Sequence, residues 1–377
     1  MTVAHPPGVP GIDVPRLASW LSRTVPAAGR ITAIEVIAGG RSNLTYRVDL
    51  APADRAGGLG RVVVRRPPLG HVLPTAHDMG REYRVLSALA DSAVPVPRPL
   101  ALCTDEDVIG APFYVMEYVE GRVLRTVEDA ADAGVTAAQA GALSGQLVDV
   151  LADIHLLDLD AAGLSDFGRP AGYLARQFRR WGKQWEASHA ARVQALGKPG
   201  ELPEYDRLTE RLAARLPAAE SGAGPARAAL VHGDYRLDNA LVRLAPEPRI
   251  AAVVDWEMST LGDPLADLGL TLVYWTDPGD EERLAIPVGS TVTSAPGFGT
   301  GRAFAERYAA RTGFDLANLD FYVAFGCFKL AAVLEGIHAR FLQNATVGEG
   351  FEQLGDSVPV LVERAHRILD ARSPWPG

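Results

Sequence analysis

Lysine is nearly absent from this chain. Only Lys183, Lys198 and Lys329 occur among 37 basic residues, so the positive charge is almost all arginine. Whatever neutralises a bound anion ahead of residue 183 therefore cannot be lysine. Cysteine is equally scarce. Cys103 and Cys327 lie far apart, which excludes a disulfide framework and a cysteine-rich zinc site. Both read as small buried hydrophobes of a cytoplasmic protein. The first residues, Met1 to Pro7, show neither a basic n-region nor an apolar h-region, so no signal peptide is expected. No apolar run approaches the length of a membrane span, and no membrane partner is expected. The formal net charge of -9 argues against non-specific nucleic-acid binding, which wants a basic surface. No internal repeat or low-complexity tract interrupts the chain.

What is present is the composition of a folded protein, with 47% hydrophobic and 22% charged residues. A length of 377 residues exceeds one ordinary core and suggests two lobes. Ile31–Ile37 and Leu44–Leu50 alternate like a half-buried hairpin, and Val62–Arg66 adds a strand that stops at Pro67-Pro68. A helix from about Asp78 to Ala90 follows. Strands near Leu100 and from Phe113 to Val119 complete a five-stranded set, and Glu120-Gly121 reads as a hinge. The division predicted is 1–119 and 120–377. Beyond the hinge the pattern turns helical, with Leu143, Leu147, Val150, Leu151 and Ile154 on one face. Further helices are expected over 173–185, from Asp263-Pro264, over 319–340 and over 351–371.

The densest chemistry lies in His232-Gly233-Asp234-Tyr235-Arg236-Leu237-Asp238-Asn239, followed by Asp255 at the end of the apolar run Ile250 to Val254. The spacing is that of a kinase catalytic loop, H-x-D-x-x-x-x-N, with Gly233 where protein kinases carry arginine. In such a loop the Asp takes the hydroxyl proton and the Asn binds Mg²⁺; a later Asp holds the metal that bridges the β- and γ-phosphates. The reading is a small-molecule kinase using ATP and Mg²⁺. Asp234 is the base, and Asn239 and Asp255 are the metal ligands. Asp238 is a lesser candidate, as suited to capping the loop as to chemistry.

Gly39-Gly40-Arg41-Ser42-Asn43 lies between two strands, where backbone N–H groups with Ser42 and Asn43 can cover phosphates. Glu82 shares a helix face with Val85, Leu86 and Leu89. A carboxylate held among apolar groups needs a cation. Arg65 and Arg66 are the neighbours on offer, and strand alternation turns only one of them to the site. Arg65 is preferred, as the counterpart of the lysine that pairs with a helix glutamate in kinases. His155 reads as a satisfied core histidine, Asp263 as a helix cap and Asp267 as a brace of the catalytic loop. The helix from Tyr173 sets Leu174, Phe178, Trp181 and Trp185 opposite Arg176, Arg179, Arg180 and Lys183. That is either a core stripe with a solvated side or the anion-binding wall of an acceptor site.

These phrases, with Ser42 to Tyr46, Arg81 to Leu86 and Val253 to Leu268, resemble the aminoglycoside phosphotransferase family over about Ile31 to Arg340. The likeness is nearest to the kinase-like domains of acyl-CoA dehydrogenase family members ten and eleven and their free-standing bacterial relatives. It implies an α+β, two-lobed protein-kinase-like fold, with a small N-terminal five-stranded antiparallel sheet plus helix and a larger, mainly helical C-terminal lobe. The resemblance also implies roles. Asp234 would be the base, Asn239 and Asp255 would hold Mg²⁺, and Ser42 and Asn43 would lie near the phosphates. Met116, Glu117, Tyr118 and Val119 would line the adenine pocket. The family commonly carries lysine where this chain has Arg65-Arg66, and the two are not interchangeable at such sites. The expected partner is a small-molecule acceptor. An anionic acceptor such as a hydroxyacyl-CoA fits the basic stretch from Ser165 to Gly200, which holds Arg169, Arg176, Arg179, Arg180, Lys183, Arg192 and Lys198 against Asp166 and Glu186. The alternatives are an antibiotic phosphotransferase and a nucleotide-binding pseudokinase regulating a partner.

Overall fold

The computed structural model describes residues 9–37, 43–51, 58–69, 78–197, 202–222, 228–286, 290–343 and 352–375. The chain divides into two compact units, Met1–Gly121 with Ala251–Ser259, and Arg122–Ile250 with Thr260–Gly377. The first unit thus takes nine residues from beyond the catalytic loop, which the expected division at the hinge had left with the C-terminal part.

In the first unit, α1 (Val14–Thr24) precedes β1 (Ile31–Val36), β2 (Leu44–Leu50) and β3 (Arg61–Arg66). Then come α2 (Met79–Leu89), β4 (Pro99–Cys103) and β5 (Phe113–Glu117). The five strands form one antiparallel sheet in the order β1-β2-β3-β5-β4. Period-two alternation sorts its faces. Tyr46, Val48, Val62, Val64, Phe113 and Val115 turn to one side and bury against Leu17 and Leu21 of α1. Helix α1 was not foreseen in the sequence. It is capped by Asp13, whose side chain accepts from the Arg16 N–H, and carries a proline in its first turn. The opposite face carries Thr45, Arg65 and Tyr114, paired in one row across three strands.

The second unit contains α3 (Val127–Asp132), α4 (Ala137–His155), α5 (Tyr173–Leu196) and α6 (Pro203–Gly222). Short strands follow: β6 (Ala229–Val231), β7 (Ala240–Arg243), β8 (Arg249–Val253) and β9 (Thr260–Gly262). The chain ends in α7 (Pro264–Tyr274), α8 (Glu281–Leu284), α9 (Gly301–Thr312), α10 (Leu319–Leu342) and α11 (Ser357–Ala371). β6 pairs antiparallel with β9, which sets Val231 beside Thr260 and Ala229 beside Gly262. α5 runs 24 residues, well beyond the expected end near Trp185, and α11 begins at Ser357 after a 3₁₀ turn.

By length and composition α10 could cross a membrane, its most apolar stretch having a mean hydropathy of 1.3, contrary to the expectation that no apolar run approaches a membrane span. However, 78% of that stretch is buried inside the protein. It is the central helix of the unit, and glycines set its distance from α7. A Cβ on Gly269 would meet the Tyr322 backbone at 2.5 Å, and one on Gly326 would meet Leu270 Cα at 3.2 Å. Both cysteines are buried, as expected.

Candidate active site

The first unit builds a charge cluster around Arg65. Glu82 projects from α2 beside Val85, Leu86 and Leu89, and all four are buried. Its carboxylate accepts from Arg65 Nε at 2.9 Å, Tyr114 Oη at 2.8 Å and Asn43 Nδ2 at 3.1 Å. Arg65 Nη1 also donates to Thr45 Oγ1 at 3.3 Å, its neighbour in the cross-strand row. The pair proposed from the apolar helix face is therefore present in the structure. Arg66, one residue on, points to the other side of the sheet and donates to the carbonyls of Gly11, Ile109 and Pro67. Alternation along β3 separates the two arginines.

Asp255 belongs to the same unit. It stands just after β8 in the left-handed region, at φ 66°, a conformation that aspartate tolerates better than most residues. The turn is anchored by Trp256, 2% exposed, whose indole donates to the Val253 carbonyl. The Val253 N–H donates to Pro95 O at 2.8 Å, and Arg81 Nη2 donates to Ser259 O at 3.2 Å. Asp255 Oδ1 accepts from Arg65 Nη2 at 2.5 Å, so one guanidinium serves two carboxylates. Glu257, two residues on, accepts from Asn43 Nδ2 at 3.0 Å.

Carboxylate oxygens of Glu82, Asp255 and Glu257 lie within 4.8 Å of one another. Such an oxygen set fits a hard divalent cation. Glu82 already accepts from three side chains, which leaves Asp255 and Glu257 as the better ligands. The sequence reading missed Glu257, although the D-x-E spacing across a short turn was visible. It also missed Tyr114, whose role depends on register. Met116 to Val119 mark the end of β5 and the residues after it. Met116 is buried, whereas Glu117 is exposed and donates its N–H to Arg98 O. Ser42 and the glycines before it lie outside the described residues.

The second unit carries the loop from His232 to Asn239. β6 delivers a fully buried His232. The His232 and Gly233 N–H groups donate to Asp267 Oδ2 and Oδ1 at 2.6 and 2.9 Å, the bracing expected from the sequence. Gly233 has φ 87°, a backbone conformation that favours glycine and explains the departure from arginine. His155 is a satisfied core histidine, within 2.6 Å of Tyr308 Oη and 3.4 Å of Asp267 Oδ2. Burial raises the Asp267 pKa, but hydrogen bonding and charge from the two histidines outweigh it, and the carboxyl titrates below the ordinary range. Asp263 caps α7 as read, through the Leu265 N–H.

Asp234 is part-exposed. Asn239, on a 3₁₀ turn, donates from Nδ2 to the Asp234 carbonyl at 2.8 Å and to Oδ2 at 3.0 Å. That leaves Oδ1 as the atom a cation would take. Arg236 Nε stands 3.4 Å from Asp234 Oδ2, with its guanidinium 4.8 Å over the Tyr274 ring. Tyr274 also hydrogen-bonds Asp234. Burial, followed by the Asp234 charge, keeps its phenol protonated far above the ordinary range. Burial likewise raises the Asp238 pKa against the opposing charge of Arg236 and a hydrogen bond with Ser290.

The aromatic side of α5 is a core stripe. Trp181 and Trp185 are buried, and Trp185 stacks on Tyr205 at 3.6 Å between centroids. On the polar side Arg176 folds back onto the carbonyls of Arg169 and Ala171, and Arg192 donates to Glu335. Arg179, Arg180 and Lys183 are exposed, while Lys198 lies outside the described residues. The basic wall is thus narrower than the sequence count implied. Beside it a pocket of about 410 Å³ is lined by Pro170 to Leu174, Ala228, Gly262 and Asp263.

Against known proteins, residues 33–322 match the model of the phosphotransferase enzyme family. The chain is 35% identical over 327 residues to acyl-CoA dehydrogenase family member 10 of Mus musculus, covering 86% of this chain and 28% of that protein. It is 33% identical over 358 residues to family member 11 of Rattus norvegicus, covering 93% of this chain and 42% of that protein. The chain therefore spans less than half the length of these curated relatives. A crystal structure from Ralstonia eutropha, provisionally assigned as an aminoglycoside phosphotransferase, superposes with a TM-score of 0.76 at 32% identity, covering 95% of this chain and 98% of that one. The fold is that of the kinase-like aminoglycoside phosphotransferases, and the chain belongs to the phosphotransferase enzyme family.

Proposed function

We propose that the protein is an ATP- and Mg²⁺-dependent kinase that phosphorylates a hydroxyl of a small anionic acceptor, such as a hydroxyacyl-CoA. The observation that carries the reading is the Asp234–Asn239 pair, held on a turn that Asp267 pins through two backbone N–H groups. In the reaction the acceptor oxygen bonds to the γ-phosphorus as the bond from that phosphorus to the bridging oxygen of ADP breaks. Asp234 orients the hydroxyl and takes its proton; Asn239, Arg236 and Tyr274 hold the carboxylate in place. Asp255 with Glu257, and Asn239 through Oδ1, would hold Mg²⁺, which would offset the charge of the phosphates. Arg65, steadied by Glu82, would take the part of the phosphate-contacting lysine of kinases. Ser42, Asn43 and Met116 to Val119 complete the nucleotide contacts in this reading. Catalysis is then positioning plus charge neutralisation, with no covalent intermediate on the protein.

Two lines support the acceptor class. The relatives bear acyl-CoA dehydrogenase names, although the chain matches only 28% and 42% of their lengths. The exposed Arg179, Arg180 and Lys183 supply a local positive field that attracts CoA phosphates and repels a polycationic aminoglycoside. The test is steady-state kinetics with a 4-hydroxyacyl-CoA and with kanamycin at several salt concentrations. The expected result is turnover of the CoA ester that weakens with salt; a clear preference for kanamycin would overturn the acceptor assignment. In the same assay Asp234→Asn should lower turnover at least about a hundredfold while ATP still binds. Near-normal turnover would remove Asp234 as the base.

A further inference from the structure

Lys329 bonds the Gly233 carbonyl of the same loop that Asp267 braces through its N–H groups. We propose that it is the positioning residue of Asp234: its ammonium holds the Gly233 carbonyl and thereby fixes the peptide that carries the Asp234 carboxylate. The proposal rests on the reading of Asp234 as the base.

Three observations carry it. Lys329 Nζ donates to Gly233 O at 2.7 Å. The other end of that peptide, the Asp234 N–H, donates to His232 Nδ1 at 3.3 Å, so the peptide plane is held at both edges. Gly233, with the broadest backbone freedom available to any residue, is where a loop would otherwise lose its aim. The close approach of α7 and α10 at Gly269 and Gly326 is what brings Lys329, one turn further along α10, within reach.

The environment suits a single cation with little water. Its Nζ lies 5.2 Å above the Trp181 ring, and the recess beside it, shared with Tyr173 and Gln177, measures about 20 Å³, room for one water. The charged groups facing it are Asp234 from the loop, Asp267 from α7 and Arg180 from α5. Burial pushes the lysine pKa down to about 8, with Arg180 adding to the shift, while the two carboxylates oppose it. Above that pH the ammonium gives up its proton and the charge-assisted bond to the carbonyl weakens.

The sign of the stability effect is opposite to that of activity. A lysine whose pKa falls on folding binds fewer protons folded than unfolded from about pH 8 upward, so stability rises there. A loss of turnover between about pH 8 and 9.5 would then run opposite to this lysine's own contribution to stability.

Because the chain has three lysines, ¹⁵N/¹³C-lysine NMR of the full protein resolves Lys329 directly, with Lys329→Arg providing the assignment. One signal should titrate near 8, and Asp234→Asn should move it lower still, because a carboxylate that favours the cation is gone. In kinetics Lys329→Met should lower kcat at least tenfold while KM for ATP stays within twofold. Lys329→Arg, which keeps a cation but fits the recess less well, should recover only part of that loss and abolish the alkaline limb of the pH profile, since a guanidinium does not titrate there. Wild-type kcat in a folded Lys329→Met protein would overturn the proposal. So would a Lys329 signal that titrates near the ordinary 10.4 and ignores Asp234→Asn, a result that stands even if the Met variant does not fold. If the wild type transfers no phosphate to any acceptor, the functional reading falls, while the NMR titration still decides the Lys329–Asp234 coupling.

Discussion

The Arg65–Glu82 pair allows a prediction that does not depend on knowing the acceptor. Their side chains are 11% and 3% exposed, so water screens the interaction little. Removing one member of such a pair leaves an uncompensated buried charge, at about 3–5 kcal/mol. Glu82→Gln keeps the shape but turns one oxygen into an NH₂ group. In its better orientation the new amide keeps Arg65 Nε and Tyr114 Oη, but sets a donor against Asn43 Nδ2 and Arg65 Nη2. That places the variant near the lower end, at about 3 kcal/mol. Arg65→Met strands Glu82 and also releases Asp255. Asp255 is 32% exposed and adds little, so this variant should cost about 3–4 kcal/mol.

Each single change destroys the same coupled unit, so the double variant should cost about 4 kcal/mol rather than about 6–7, a coupling of roughly 2–3 kcal/mol. Urea unfolding followed by fluorescence and by circular dichroism measures this. The two units can unfold in separate steps, and the comparison belongs to the transition that Arg65→Met displaces. Mg·ATP affinity by calorimetry provides a second cycle, in which the same non-additivity is expected if Arg65 contacts phosphate. Costs that add to within about 0.5 kcal/mol would refute the account of Arg65 and Glu82 as one unit.

Two further outcomes follow from the same geometry. Asp255→Ala should abolish the Mg²⁺-dependent part of ATP binding; unchanged Mg·ATP affinity by calorimetry would exclude Asp255 as a ligand. Asp267→Asn should lose about 3 kcal/mol at pH 7, because one amide cannot accept from both the His232 and Gly233 N–H groups. A carboxyl held below its unfolded pKa stabilises above about pH 4 and loses that contribution as pH falls through its own lower value. The gap between this variant and the wild type should therefore close in acid; a constant gap from pH 7 to pH 3 would contradict the bracing role.

Legibility in the sequence followed the range of the interactions. The cap at Asp263 and the helix stripe around Glu82 are set by local spacing, and the structure places them as read. The choice of Arg65 over Arg66 was legible because a strand alternates. Tyr114 was not, since its contact with Glu82 depends on β5 lying beside β3, a pairing between strands about fifty residues apart. α1 escaped notice for a similar reason. Its apolar positions mean little until the back of the sheet is there to receive them. The placing of Ala251–Ser259 in the first unit is a tertiary fact, fixed by Val253 bonding to Pro95 and Arg81 bonding to Ser259. The span of basic residues from Ser165 to Gly200 misled in one respect. Counting charges along the chain cannot show that Arg176 and Arg192 are committed to internal partners.

The scarcity of lysine acquires a physical sense from the two places where a cation meets the proposed chemistry. Arg65 must satisfy Glu82 through Nε and Asp255 through Nη2 at once, while Nη1 reaches Thr45. A planar fork does this from one position, whereas an ammonium on a flexible stem would have to choose among them. At Gly233 the demand is reversed. A single carbonyl in a nearly dry recess needs one compact donor, and five N–H groups would leave most of their hydrogen-bonding capacity unmet among Trp181, Tyr173 and Phe325. Lys329 fits that place, and the same burial that suits it also brings its titration into the range where activity can respond to pH.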